Sequence, residues 1–260
     1  MAELRQLLAG FDPVAGFPLP DDWCQGRTAY GGLTAATALM AAQRLLPGGQ
    51  GILRSVQVAF VGPADGQLSY QASPLRSGKS VSSIGVDVSG DSGMAARALF
   101  VFGQGRPSGI THDFSQPPPV RGQESYPLVD FAASPVAPAF IRHFQLRPAA
   151  GAMPLSGTDN PEMVIWLAHN DAQGVDPAVA LLAVADALPP AAFTAYTQPA
   201  PISTITWSLD LLGPLEPTAW YLLRSASVHA ADGYSVQTMQ IWDERGRMLL
   251  RGRQCVAVFA

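Results

Sequence analysis

The sequence predicts an α+β protein made of two tandem units, each a central helix wrapped by an antiparallel sheet. Three observations carry this: a helix-like segment apolar all round in the first half and one with an apolar stripe in the second, strand-like runs in fours after each, and turn residues that recur in the second half at a nearly constant spacing. With 260 residues, 48% hydrophobic and 14% charged, the chain can bury a large core. A formal net charge of -4 and no dense Lys/Arg run argue against nucleic acid or an anionic membrane as partner. No uncharged, proline-free run reaches the ~20 residues of a membrane span. The N-terminus, with Glu3 and Arg5, has no apolar signal core, so a cytoplasmic location is expected.

The first unit is assigned to residues 1–105. Residues 31–42, Gly-Gly-Leu-Thr-Ala-Ala-Thr-Ala-Leu-Met-Ala-Ala, carry no charge, which is the mark of a helix buried all round. Pro47-Gly48-Gly49 should close it. Strands are predicted near residues 52–61, 67–75, 81–89 and 95–102. Turn signals separate them: Gly62-Pro63-Ala64-Asp65-Gly66, Ser77-Gly78-Lys79 and Gly90-Asp91-Ser92-Gly93.

Residues 106–138, centred on Pro117-Pro118-Pro119, read as an extended linker. The second unit, 139–260, repeats the first. Strands are expected near 140–147 and 163–168, then a helix after Asp176-Pro177, then strands near 202–211, 219–228, 235–242 and 248–259. Gly62-Pro63 aligns with Gly213-Pro214, Gly78 with Gly233, and Gly93 with Gly246, which points to an internal duplication.

Asp176-Pro177 is a good helix start, an N-cap side chain followed by a ring whose missing N–H is not needed there. Val179, Leu182, Ala183 and Asp186 then fall on one stripe, so an apolar face carries a carboxylate, and Pro189-Pro190 should end the helix. Burying an unpaired carboxylate costs several kcal/mol, so it must find partners or use a raised proton affinity. On the following strand Thr204, Thr206, Ser208 and Asp210 alternate with Ile205, Trp207, Leu209 and Leu211. On the last strand Gln254 shares its face with Leu250, Gly252, Val256 and Val258, while Arg251 and Arg253 point the other way. Asp186 and Gln254 are thus two polar misfits that could satisfy one another and a water.

A family likeness is carried by Gly26-Arg27-Thr28-Ala29-Tyr30-Gly31-Gly32-Leu33, by Arg54-Ser55-Val56 leading to Phe60-Val61-Gly62-Pro63, and by Arg76-Ser77-Gly78-Lys79-Ser80. Together these resemble the acyl-CoA thioesterase II family, whose plan is the double hotdog. The resemblance implies hydrolysis of a fatty-acyl thioester by a water held between an aspartate, a threonine and a glutamine. By position these are Asp186, Thr204 (ahead of Pro214 as the family's threonine precedes its proline) and Gln254. It also implies acyl-CoA as the ligand, no cofactor, no metal, and a pseudo-dimer that stands alone or pairs into a homo-oligomer. Tyr30, Gly31 and Gly32 become candidates for substrate binding and for the oxyanion donors at a helix N-terminus, although the two glycines also suit tight packing alone. The chain departs from the family at Thr206-Trp207, Leu211-Leu212-Gly213 and Cys255.

Rival functions are a hotdog enoyl-CoA hydratase, which needs an aspartate and a histidine together, and a non-catalytic acyl-CoA-binding protein. His112, His143, His169 and His229 lack metal spacing, and Gly-x-Ser-x-Gly is absent. Arg76 and Lys79 are read as solvated turn charges or as contacts for coenzyme A phosphates. Cys24 and Cys255, far apart in sequence, are expected as buried small side chains rather than a disulfide.

Overall fold

One antiparallel sheet of eleven strands runs through both halves of the chain in a computed structural model that describes residues 2–46, 51–134 and 136–259. Its elements are α1 (Leu4–Ala9), β1 (Phe17–Pro18), a small ribbon of β2 (Cys24–Gln25) and β3 (Thr28–Ala29), α2 (Gly31–Gln43), β4 (Ile52–Phe60), β5 (Gln67–Ser77), β6 (Val81–Gly90) and β7 (Gly93–Gly103). After the crossing come β8 (Phe144–Gly151), β9 (Glu162–His169), α3 (Pro177–Ala185), β10 (Ile202–Leu211), β11 (Tyr221–Ala231), β12 (Tyr234–Asp243) and β13 (Met248–Val258). The turn expected at Pro47-Gly48-Gly49 lies outside the described residues.

The sheet order is β1-β5-β6-β7-β4-β10-β13-β12-β11-β9-β8. Read outward from its centre, β4-β7-β6-β5 is mirrored by β10-β13-β12-β11, so the duplicated halves meet edge to edge. The join is antiparallel, with Thr206 opposite Ala59, Leu209 opposite Val56 and Asp210 opposite Ser55. Pairing the two central edges removes the unpaired backbone rows that would otherwise invite aggregation.

Both central helices are buried, and they pack against each other as well as the sheet. Their alanine-rich surfaces, GGLTAATALMAAQ and PAVALLAVA, allow close approach. Each apolar side chain buried contributes roughly 1.5–3 kcal/mol, so all-round burial rather than propensity stabilises these short helices. Asp176 caps α3 through Oδ1, which accepts from the N–H groups of Ala178 (2.9 Å) and Val179 (3.1 Å), with Pro177 following as N1. The single apolar stripe expected on α3 is instead burial on nearly every face, since Ala180, Leu181, Val184 and Ala185 are buried too.

Among the described residues of 106–138 none forms a strand of the sheet, though Val129 makes a single antiparallel bridge to Leu146, and the later part of the stretch is docked rather than free. Val120 and Tyr126 pack on an outer apolar cluster of Val164, Trp166, Leu222, Trp242 and Met248. The Trp166 indole donates to the Arg121 carbonyl (3.1 Å), and Arg147 donates to the carbonyl of Tyr126. The strand expected from residue 140 begins only at Phe144, because Ala139–His143 coils into a 3-10 turn.

That turn carries His143, which clips the N-terminal segment to the second unit. Its ring stacks on Trp23 (centroids 4.0 Å apart, 6° between planes), and its two nitrogens face Glu3 Oε2 at 3.2 Å and Asp22 Oδ2 at 3.3 Å. Cys24 and Cys255 are both free thiols. Cys24 is buried as expected, but Cys255 stands opposite exposed Thr206 on the outer face and is only half-buried.

Candidate active site

Asp186 is the C-cap of α3, not a residue of its stripe: the helix ends at Ala185, four residues before the first of the prolines expected to stop it. Its carboxylate therefore sits at the negative end of one helix dipole. It points at the positive end of the other, where the Gly32 backbone N–H of α2 donates to it. Gly31 makes the approach possible. A Cβ built there would lie 2.4 Å from Asp186 Oδ2 and 3.3 Å from the Phe60 ring, so any side chain would displace the carboxylate.

The other partner comes from β13. Gln254, 4% exposed, donates from Nε2 to Asp186 Oδ1 at 2.6 Å. Burial pushes the Asp186 carboxyl up to about 7, while the Gln254 amide and the Gly32 N–H pull the other way. The residue as a whole is half-buried.

Thr204 reaches this corner through a β-bulge. Between Thr204 and Thr206 the β10–β13 register slips, so Thr204 lies opposite buried Val256 while Trp207 lies opposite Gln254. The strict alternation expected for this strand, with Thr204 on the face of Thr206 and Ser208, is corrected by that slip. Thr204 joins the inward row of Gln254 and Val256, at the end of β10 beside Phe60. It is half-buried, and its hydroxyl has no protein partner among the described residues.

Tyr30, the N-cap of α2, is fully buried and stacked on Phe140 at 4.0 Å. Its ring folds over Gly32, where an added Cβ would lie 2.6 Å from the phenol oxygen. The hydroxyl faces the Asp186 main chain without a well-aligned hydrogen bond, and burial first, then the Asp186 charge, raises its pKa well above the ordinary range.

Sequence reasoning missed Gln237. It lies directly opposite Gln254 on β12 and is 2% exposed; its Nε2 donates to Gln254 Oε1, and its Oε1 accepts from the Ala191 N–H at 2.6 Å. The signal was available, since Gln237 alternates with Ser235, Met239 and Ile241 and is a polar side chain on an apolar face, as Gln254 is.

Lys79 is set apart from this corner. It lines a small hollow with Gly51 at the start of β4, whereas Gly31 touches Phe60 at that strand's other end, about 26 Å away for nine residues of strand. No histidine bonds Asp186 among the described residues; His169 donates from Nε2 to the Ala180 carbonyl (2.9 Å) and is pushed down to about 4 by burial. Among the described residues no cluster of His, Cys, Asp and Glu could hold a metal, and no helix is long and apolar enough to cross a membrane.

The sequence profile of the acyl-CoA thioesterase N-terminal domain matches residues 19–103, and that of the acyl-CoA thioesterase C-terminal domain matches residues 116–258. The chain belongs to the acyl-CoA thioesterase family. The thioesterase shares its fold with a hot dog protein from Alicyclobacillus acidocaldarius (TM-score 0.84, 23% identity, 94% of this chain and 92% of that one). It is similar also to acyl-CoA thioesterase II TesB2 from Mycobacterium marinum (TM-score 0.74, 16% identity, 94% and 93%) and to the tesB protein of Mycobacterium avium subs. paratuberculosis (0.75, 18%, 94% and 91%). At these identities the structural likeness shows the fold alone. No curated protein sequence matches this thioesterase. Its activity is the hydrolysis of acyl-CoA thioesters.

Proposed function

We propose that Asp186 is the general base of this hydrolysis, acting on a water that Thr204 and Gln254 also hold. The water oxygen attacks the thioester carbonyl carbon as its proton passes to Asp186. The tetrahedral intermediate then collapses, the C–S bond breaks, and the proton returns from Asp186 to the departing thiolate. Free acid and coenzyme A thiol result.

The observation that carries this reading is the 2.6 Å bond from Gln254 Nε2 to a carboxyl held near neutrality. A base with a pKa near the working pH combines availability with driving force. The second hydrogen on Gln254 Nε2 is left to fix the water. The buried phenol of Tyr30 and the N-terminus of α2 at Gly31 and Gly32 supply donors for the developing oxyanion. Gly32 already donates to Asp186, so in this scheme its N–H stabilises the ionised base and Tyr30 has the uncommitted proton.

The same reading divides labour between the units: residues 139–260 carry the base and its amide, and residues 1–105 close the site with α2. It fits a cytoplasmic enzyme of lipid metabolism, with chains free to pair further through the polar outer face of the sheet.

Thiol release from a saturated acyl-CoA by parent and Asp186→Asn protein is the test. The parent should release thiol, which neither a hydratase nor a binding protein does, and a folded Asp186→Asn should be slower by about two to four orders of magnitude. Equal rates would refute the assignment.

A further inference from the structure

We propose that Gln237 is a positioning residue for the hydrolytic site, fixing through Gln254 the direction in which hydrogen bonds run into Asp186. The inference rests on the reading of Asp186 as base and extends it by one residue and one backbone group.

The two ends of the chain determine everything between them. A backbone N–H can only donate, and an ionised carboxylate can only accept. Starting from the Ala191 N–H, Gln237 must therefore present its carbonyl oxygen to Ala191 and its NH2 to Gln254. Gln254 must then accept with its oxygen and donate with its NH2 to Asp186. No other orientation of the two amides satisfies every contact. The geometry supports the row: Gln237 and Gln254 stand directly opposite each other across β12 and β13.

The Ala191 N–H is well placed to anchor it. Ala191 opens a 3-10 turn, Ala191–Thr194, where the first N–H has no partner within the turn, and Pro190 fixes its entry. Satisfying that N–H would be enough to explain Gln237 as a structural residue. The bond to Gln254 is what a structural role leaves unexplained.

Without Gln237, the Gln254 amide is free to turn over. Its oxygen would then face Asp186, and only the protonated acid can answer an acceptor. The catalytic carboxyl would be held in the wrong state. The groups facing Asp186 are otherwise neutral donors, Gly32 on α2 and Gln254 on β13; the ionisable neighbour is the Tyr30 phenol on α2.

The test is a double-mutant cycle on thiol release. Gln237→Met keeps the volume and removes both polar ends; Gln237→Glu keeps the acceptor for Ala191 and so protects the turn if the first variant folds poorly. Gln237→Met should lower kcat about tenfold with KM within twofold, and the acid limb of its rate profile should move to higher pH. In a Gln254→Met background the same change should cost nothing further, because the residue it acts through is gone. Losses that multiply in the double variant, or a Gln237→Met enzyme with parent kcat and parent pH profile, would overturn the proposal. Full activity in Asp186→Asn would instead condemn the underlying assignment, so the two failures are separable.

Discussion

Gln254 Nε2 and Asp186 Oδ1 are 2.6 Å apart although 68 residues separate them in sequence. The contact joins the last strand of the sheet to the end of the second central helix. It supplies a donor to a carboxyl that would otherwise face an apolar wall. Removing the Gln254 amide should deprive Asp186 of this donor and Gln237 Nε2 of its acceptor, at a cost of about 1–3 kcal/mol. Gln254→Leu should therefore lower both stability and turnover, measured by chemical denaturation and thiol release on the same preparation.

Gly31 should tolerate alanine as a backbone and not as a neighbour. The helix position gains up to about 1 kcal/mol from the substitution. The new methyl would nevertheless lie 2.4 Å from Asp186 Oδ2, so the carboxylate must move. Gly31→Ala is expected to fold with a melting temperature near the parent's and to lose at least tenfold in kcat. Unchanged kcat would show that the carboxylate position is not critical.

The raised pKa of Asp186 has a sign that stability measurements can read. In the folded protein the carboxyl keeps its proton up to about pH 7, while in the unfolded chain it loses it near the ordinary carboxylate value of 3.8. Between these values the folded state holds the extra proton. Its contribution is thus fully present below about pH 4, falls as pH rises toward 7, and is flat above, at most about 1.4 kcal/mol per pH unit. Asp186→Asn removes the titration. The stability of the Asn variant relative to the parent should climb between pH 4 and 7, as followed by denaturant unfolding across that range.

His143 should matter to the N-terminal segment more than to catalysis. Its ring is 1% exposed between Glu3 and Asp22, whose side chains are 30% and 20% exposed. His143→Phe keeps a ring to stack on Trp23 but removes both nitrogens, with an expected cost of about 1–3 kcal/mol. Limited proteolysis should cut the first twenty residues faster in the variant, while kcat stays near the parent's.

How much of this was readable beforehand depended on whether a residue's role is local. The two buried helices, the strands around them and the duplication follow from period and turn chemistry, and they stand in the sheet within a few residues of where those signals put them. Asp186 and Gln254 betray themselves as polar groups on apolar faces. The bulge at Ile205 is different: it depends on how β10 registers with β13, and no alternation pattern reveals it. The docking of residues 118–126 on Trp166 and Trp242 was hidden for the same reason, since proline-rich composition says extended and not what the extended chain lies on. Gln237 gave the same signal as Gln254, but only the register that sets the two amides face to face gives it meaning.

The most direct measurement is a single turnover in 18O-labelled water with enzyme in excess over acyl-CoA. If Asp186 activates water for direct attack, the first product molecule of free acid carries one labelled oxygen and the enzyme carries none. Unlabelled acid, with the label in the Asp186 carboxyl, would mean that Asp186 itself attacks the thioester and would contradict the account.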